Sequence, residues 1–285
     1  MKVSARIAAH LRELTPAERK VAAVVADGPE AVAFGTVADV ARKSGASGAT
    51  VVRLAAKLGY DGFVELQAAV RDELTTRLRP ASERIRRPAP GDVVGAALAT
   101  EMANVAASLE GADPELFEEA VELLSASGSG RGGGRVFVLS GDASFGVASM
   151  LAAELSMLRP GVVLVGGSEV RVARILAEVG PSDVVVVLDV ARYDRAVVEA
   201  AGRAAAAGAA LIALTDSGLS PPARAAAVSF TVAVAGAGPF DSHVGMLALA
   251  NTLLAGVAAR LRRSATDRLD RVEAAWRAAD VLTDG

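Results

Sequence analysis

Between Thr36 and Lys57 the chain carries hydroxyls and cations at close spacing: Thr36, Lys43, Ser44, Ser47, Thr50, Arg53 and Lys57. These are side chains that donate to phosphate oxygens and to base edges in a DNA major groove. A second set of polar groups lies in three short stretches, SGDASFG (140–146), DVARYD (189–194) and TDSGLS (215–220), and includes Ser140, Asp142, Ser144, Asp189, Arg192, Asp194 and Thr215. With His243 they form the candidate set for a small polar ligand. With two histidines and no cysteines, no metal constellation is visible. Nor is there a histidine–carboxylate pair for general acid–base work, so no catalytic residue is assigned. The glycine-rich stretch SGSGRGGGR (127–135) has no Lys-Ser/Thr pair after its glycines. It reads as a surface connection rather than a phosphate-cradling loop, and no cofactor is implied.

The elements that must position the first set are two short helices around a turn. Val37, Val40 and Ala41 recur at i, i+3 and i+4, Ser44-Gly45 stops the run, and Ser47 is placed to cap a second helix. That helix is expected to turn Val51, Val52, Leu54, Ala55 and Leu58 inward and to leave Thr50, Arg53 and Lys57 outside, before Gly59 ends it. This is helix-turn-helix spacing, although a plain helical hairpin with a solvated basic face has the same pattern. Upstream, a helix is expected over about Val3–Leu14. Thr15-Pro16-Ala17-Glu18 then reads as a capping box with proline at the first helical position, opening a helix to about Ala26. Downstream, Phe63, Leu66, Val70 and Leu74 mark a helix to about Leu78. The sum is an all-α bundle over residues 1–78.

LTPAERKVAAVV followed by GATVVRLAAKLGYDGFVEL resembles the N-terminal domain of the RpiR/MurR family of bacterial transcriptional regulators, over about Leu14–Leu74. The resemblance implies that Ser47, Thr50, Arg53 and Lys57 occupy the recognition helix, with Thr36 and Lys43 near flanking phosphates. Gly48 departs from it, because such regulators often carry a longer polar residue there, which would weaken one base contact.

Residues 79–91, RPASERIRRPAPG, hold three prolines and four arginines without apolar periodicity, and read as a linker. Two helices are expected from Asp92 to Ala126, the second capped by Asp113. Short apolar runs then alternate with helical segments: VFVLS (136–140), VVLV (162–165), DVVVVL (183–188), ALIAL (210–214) and SFTVAV (229–234). Continuous β-branched runs separated by helices predict a doubly wound α/β domain with a parallel five-stranded sheet, within a unit spanning 92–285. In such sheets ligands bind beyond the carboxyl ends of the strands, where the three polar stretches fall. The order of elements is similar to the SIS (sugar isomerase) domain that the same family carries as its sensor, over about 135–262. That resemblance implies a phosphosugar held by a small-residue turn after the first strand and a Ser/Thr-rich loop after the third. Ser144 survives, with a plain helix cap as its other reading. In place of the second loop stand Asp189, Arg192 and Asp194, which could also be solvated loop residues. With Asp142 they predict a pocket that disfavours a dianionic phosphate, since like charges ~4 Å apart cost about 1 kcal/mol even in water. The expected ligand carries amine or hydroxyl groups, or the domain serves dimerisation alone. His243 stands before a long apolar helix, where it faces the pocket or is structural. Trp276, with Val272 and Leu269, is expected to pack at a domain or subunit surface.

Residues 1–90 hold 15 Lys/Arg against 10 Asp/Glu and residues 91–285 hold 15 against 23. A basic module on an acidic body suits a polyanion-binding domain on one that does not bind polyanions. The absence of cysteine excludes disulfides and fits a reducing compartment. No signal peptide or membrane span is apparent, so a cytoplasmic location is expected. The reading is a non-enzymatic transcriptional regulator, a homodimer or higher homo-oligomer on a palindromic double-stranded operator, controlled by a sugar derivative or other metabolite. A ligand-independent DNA-binding dimer and a phosphosugar isomerase are the alternatives.

Overall fold

The computed structural model describes residues 3–27, 29–78, 80–86, 91–126, 134–218 and 220–281. They form two compact units, one built mostly from residues 1–89 and the other comprising most of 90–285. Most of the glycine-rich stretch, and Arg79 and residues 87–90 of the expected linker, lie outside the described residues, as does the side chain of Leu74.

The first unit is helical: α1 (Val3–His10), α2 (Pro16–Asp27), α3 (Pro29–Phe34), α4 (Val37–Ser44), α5 (Gly48–Lys57), α6 (Phe63–Leu78) and α7 (Ala81–Arg84). Its core gathers Ile7, Val21, Val40, Val51, Leu54, Leu58 and Leu66, each nearly sealed from solvent. The expected capping box opens α2: the Thr15 amide donates to Glu18 Oε2 at 2.8 Å and the Glu18 amide to Thr15 Oγ1 at 3.3 Å. A second box opens α4, where the Thr36 amide donates to Asp39 Oδ2 and the Asp39 amide to Thr36 Oγ1. Gly45, at φ 63, closes α4 in the left-handed region, where a side chain would be strained. Helix α7 lies in the stretch expected to be irregular; Pro80 precedes it with φ −63, a value that leads directly into a helical turn.

The second unit begins with α8 (Val93–Glu110) and α9 (Pro114–Ser125). It continues as β1 (Val136–Ser140), α10 (Phe145–Leu158), β2 (Val162–Val165), α11 (Glu169–Leu176), β3 (Val184–Leu188) and α12 (Arg195–Ala206). The chain then forms β4 (Ala210–Thr215), α13 (Pro221–Ala225), β5 (Val228–Thr231), α14 (Val244–Arg260) and α15 (Arg262–Ala279). The strands form one sheet in the order β2-β1-β3-β4-β5, every pairing parallel. Both faces are covered. Val136 and Val138 of β1 join a core with Leu124, Leu151 and Leu253, whereas Phe137 and Leu139 join one with Leu176, Val197 and Ala201. Alternation along each strand assigns residues to opposite faces, and burial on both explains the uninterrupted apolar runs.

Strand β5 ends at Thr231 rather than at residue 234. Beyond it α8 takes over the hydrogen bonds of a strand. Ser108 Oγ accepts from the Ala233 amide at 2.9 Å, and the Asn104 carboxamide accepts from the Ala235 amide at 3.2 Å and donates to the Ala235 carbonyl at 2.7 Å. Val232 keeps one bond to the sheet, its amide donating to the Thr215 carbonyl of β4 at 2.8 Å, and both Val232 and Val234 stay buried, so the apolar pattern outruns the strand.

Candidate functional site

In the first unit, α4 and α5 form the two helices of a helix-turn-helix, joined by Gly45 to Ser47. The exposed face of α5 consists of Ala49, Val52, Arg53 and Ala56. Val52 is 43% exposed, against the expectation that it points inward. At roughly 100° per residue, positions 49, 52, 53 and 56 share one side of the helix, while 50 and 57 lie about a quarter turn away at the edge of the core.

That geometry changes the role of several expected contacts. Thr50 is buried; its hydroxyl sits 2.9 Å from Ser47 Oγ and accepts from Arg53 Nη2 at 3.1 Å. Thr50 is therefore a brace for Arg53, not an outward reader. Ser44 is buried and donates to the Ala41 carbonyl. The Lys57 ammonium is drawn back to the Glu13 carbonyl and to Glu18 Oε2, at 2.5 and 3.2 Å. Thr36 donates its hydroxyl to Asp39 Oδ2 at 2.7 Å as the cap of α4. Ser47 caps α5, with the Thr50 amide donating to its Oγ, and remains exposed. Lys43 and Arg53 are exposed cations, and among the described residues Lys43 has no partner. Gly48 is half-buried, and a Cβ there would stand 3.3 Å from Val37 Cγ1, so this glycine serves the approach of α4 to α5.

Two carboxylates of this unit are shifted downward. Glu18 lies below its ordinary value, first through the Thr15 amide and also through Lys57. Asp39 is lowered to about 2, first by the Thr36 amide, then by the Thr36 hydroxyl and Arg42. Both are caps, and the bonds that hold them stabilise the ionised form.

In the second unit, the strand order reverses between β1 and β3, the switch point where doubly wound sheets open a crevice at their carboxyl edge. Ser140 pairs with Leu188, and Leu188 with Leu214. Thr215 thus lies at the same edge two strands away, about 10 Å from the line of β1. The hydroxyls of Ser140, Ser144 and Thr215 are buried and have no hydrogen-bond partner among the described residues. Ser144 is sealed completely and stands at the start of α10 without capping it, so the plain-cap reading does not apply. Buried polar atoms are ordinarily satisfied, so these three hydroxyls are exceptions gathered at one edge of the sheet.

Of the carboxylates expected at the pocket, Asp189 and Asp194 are bonded to nearby backbone amides, and Asp189 stands against Gly141 of the loop after β1. Asp189 is buried, and its two oxygens accept from the Val190 and Asp194 amides at 3.0 and 2.9 Å. Burial pushes it up to about 6, with the charges of Asp194 and Asp216 adding to that and the two amides opposing it. Asp194 caps α12 through the Ala196 amide. Arg192 is exposed at φ 66, and Asp142 is exposed in a short 3-10 turn. Asp216, not singled out beforehand, is buried and accepts from the Tyr193 hydroxyl at 2.7 Å, fastening the loop after β3 to the loop after β4. His243 immediately precedes α14, its Nε2 buried without a partner. The preceding Ser242 is tied through its amide to Val234 and through its hydroxyl to Glu101 of α8. Asp189 and Asp194 therefore shape the loop after β3. Among the described residues no His/Cys/Asp/Glu group could hold a metal ion, and no single helix is long and apolar enough to cross a membrane.

Comparison with known proteins agrees with both halves. Residues 1–77 match the helix-turn-helix domain of the rpiR family, and residues 132–256 match the SIS domain. The HTH-type transcriptional regulator HexR of Pseudomonas aeruginosa is 28% identical over 264 residues, covering 90% of this chain and 88% of that protein. The sugar isomerase domain of an RpiR transcription factor from Sphaerobacter thermophilus superposes with a TM-score of 0.56 at 33% identity, covering 62% of this chain and 96% of that one. Vibrio vulnificus NanR, solved in complex with ManNAc-6P, shares the fold along 99% of this chain and 100% of its own, with a TM-score of 0.58 at 19% identity.

Proposed function

Because the chain belongs to the RpiR family and is a DNA-binding transcriptional regulator, we propose that α5 reads its operator through Ala49, Val52, Arg53 and Ala56, and that the carboxyl edge of the sheet binds a sugar derivative controlling that reading. The observation that carries the effector site is Ser144: a hydroxyl sealed from solvent, unpaired, at the first turn of a 14-residue helix whose free amides favour a polar or anionic group. Ser140 and Thr215 supply further hydroxyls on the same edge. Domain boundaries at 78 and 91 fit this division of labour.

On the DNA side the face of α5 is mostly apolar, with a single cation. Apolar side chains read the C5-methyl of thymine, and arginine reads guanine or a phosphate. The operator half-site is accordingly expected to place thymines opposite Val52. One α5 reads one half-site, so two copies related by a two-fold axis would read a palindrome. The stripe Val94, Leu98 and Met102 on α8, each more than 60% exposed, supports a homodimer formed through the second unit. The relatives that are transcriptional regulators favour a sensor over an isomerase.

The test pairs operator selection with ligand titration. Selection by the purified protein from random DNA is expected to return a palindrome. Titration with a panel of sugars, each with and without its phosphate, is expected to show binding that Ser144→Ala weakens and that changes operator affinity. Recovery of no selective DNA would sink the regulator reading at α5. Operator affinity indifferent to every sugar and to cell extract would sink the sensor reading.

A further inference from the structure

A cavity of about 260 Å³ opens at the opposite, amino edge of the sheet. It lies between the end of α9, the turn from α10 into β2 and the first turns of α15, and it shares no residue with the Ser140–Ser144–Thr215 edge. Arg159, Arg268 and Arg271 line it together with Ser125 and Ser264, and among the described residues no Asp or Glu does.

Arg159 is 95% buried with no carboxylate partner among the described residues. Its Nε, Nη1 and Nη2 donate to the carbonyls of Pro160, Leu124 and Gly134 at 3.1, 2.8 and 2.6 Å. Three bonds use three of the five guanidinium N–H groups and leave two. Burial pulls Arg159 below its ordinary value, the mark of a cation left without an anion. Arg268 is fixed by its Nε to the Ser156 carbonyl at 2.8 Å, and Arg271 follows one turn later on α15 with no partner among the described residues. The second independent sign is Ser125, whose residue is 93% buried and whose hydroxyl lines the cavity unpaired. The cavity also meets the start of α15, whose first turn has no side-chain cap and presents free amides.

We propose that this cavity is an anion site, distinct from the effector crevice, that takes a compact phosphoryl group, free or carried on a small metabolite. Its volume of about 260 Å³ falls just below the range of about 300–1,000 Å³ typical of drug-sized ligand pockets, which suits a small phosphorylated compound. Guanidinium groups bind phosphate in bidentate fashion, and three of them converging with a hydroxyl supply the donors a phosphoryl group needs. An occupied site ties α15 to the ends of α9 and α10, at the bend of 104° between α14 and α15.

Calorimetric titration of the full chain with inorganic phosphate and with glycerol 3-phosphate, chloride replaced at equal ionic strength, tests the proposal. Saturable binding is expected. Arg271→Gln, which breaks no bond of the fold, and Ser125→Ala are each expected to weaken it, and the double variant by about tenfold or more, or 1.4 kcal/mol per decade. Ser144→Ala is expected to leave it unchanged. Tighter binding of glycerol 3-phosphate would assign the site to a metabolite, and equal binding to the free ion. Absence of saturable binding, equal affinity in the Arg271→Gln and Ser125→Ala proteins, or loss only in Ser144→Ala would overturn it.

Discussion

At the scale of single residues, Val52 and Asp189 both reversed what their neighbourhood in the sequence suggested. Val52 sits among inward-facing Val51 and Leu54, yet it is 43% exposed at the centre of the α5 face. If it touches a thymine methyl, Val52→Ala should weaken operator binding about fourfold per methyl lost from the contact, at about 0.8 kcal/mol per buried methyl-sized group. Replacing the contacted thymine by uracil should cost the wild type but not the variant, as competition binding will show. Lys57→Met, by contrast, should lower stability through loss of the tie to Glu18 and leave the salt dependence of DNA binding unchanged, because its ammonium is already spent on the fold. Asp189, raised to about 6 from 3.8, binds its proton more tightly folded than unfolded. Its ionisation therefore costs stability as pH rises between about 4 and 6, by an amount on the order of 2–3 kcal/mol. Denaturant titrations of wild type and Asp189→Asn across pH 4–7 should differ in slope over that window, the wild type losing stability with rising pH relative to the variant. Hydroxyls and carboxylates could be located from sequence but not oriented: Thr50, Ser44, Asp189 and Asp194 are short polar residues beside free backbone groups, and local bonds claim such side chains.

The elements were the more legible level. The five β-branched runs fell within a residue or two of the observed strands, save at β5, because burial on both faces leaves no other reading of them. The capping box at Thr15–Glu18 and the stop at Gly45 were visible because each rests on a local rule that needs no tertiary partner. What periodicity did not resolve was the rotation of α5 by a quarter turn, since alanines at 49 and 56 are silent in an apolar pattern. Nor was the cavity at the amino edge legible, as Ser125, Arg159 and Arg271 come from three elements far apart in the chain. At this scale the turn itself gives a prediction. A Cβ at Gly45 would meet nothing within 4 Å, so Gly45→Ala should cost only the left-handed backbone, about 1–2 kcal/mol. Thermal unfolding should show that loss confined to the first unit, with the sheet unit unchanged.

For the whole molecule, the bonds of α8 to the chain beyond β5 have a mechanical meaning. Helix α8 is the first regular element after the linker stretch, and Asn104 and Ser108 fasten it to Ala233 and Ala235, a few residues before Ser242 and His243. Two side chains of α8, rather than a strand, thus hold the chain just beyond the sheet's own ladder. Such a joint can yield without unzipping β5. Asn104→Ala is expected to preserve operator affinity while reducing the change in that affinity on adding the effector, which paired binding titrations would measure. The end of β5 then works as the molecule's hitch: past Val232 the chain leaves the ladder for the side chains of α8, and Ala233 and Ala235 are where a load can be coupled and released.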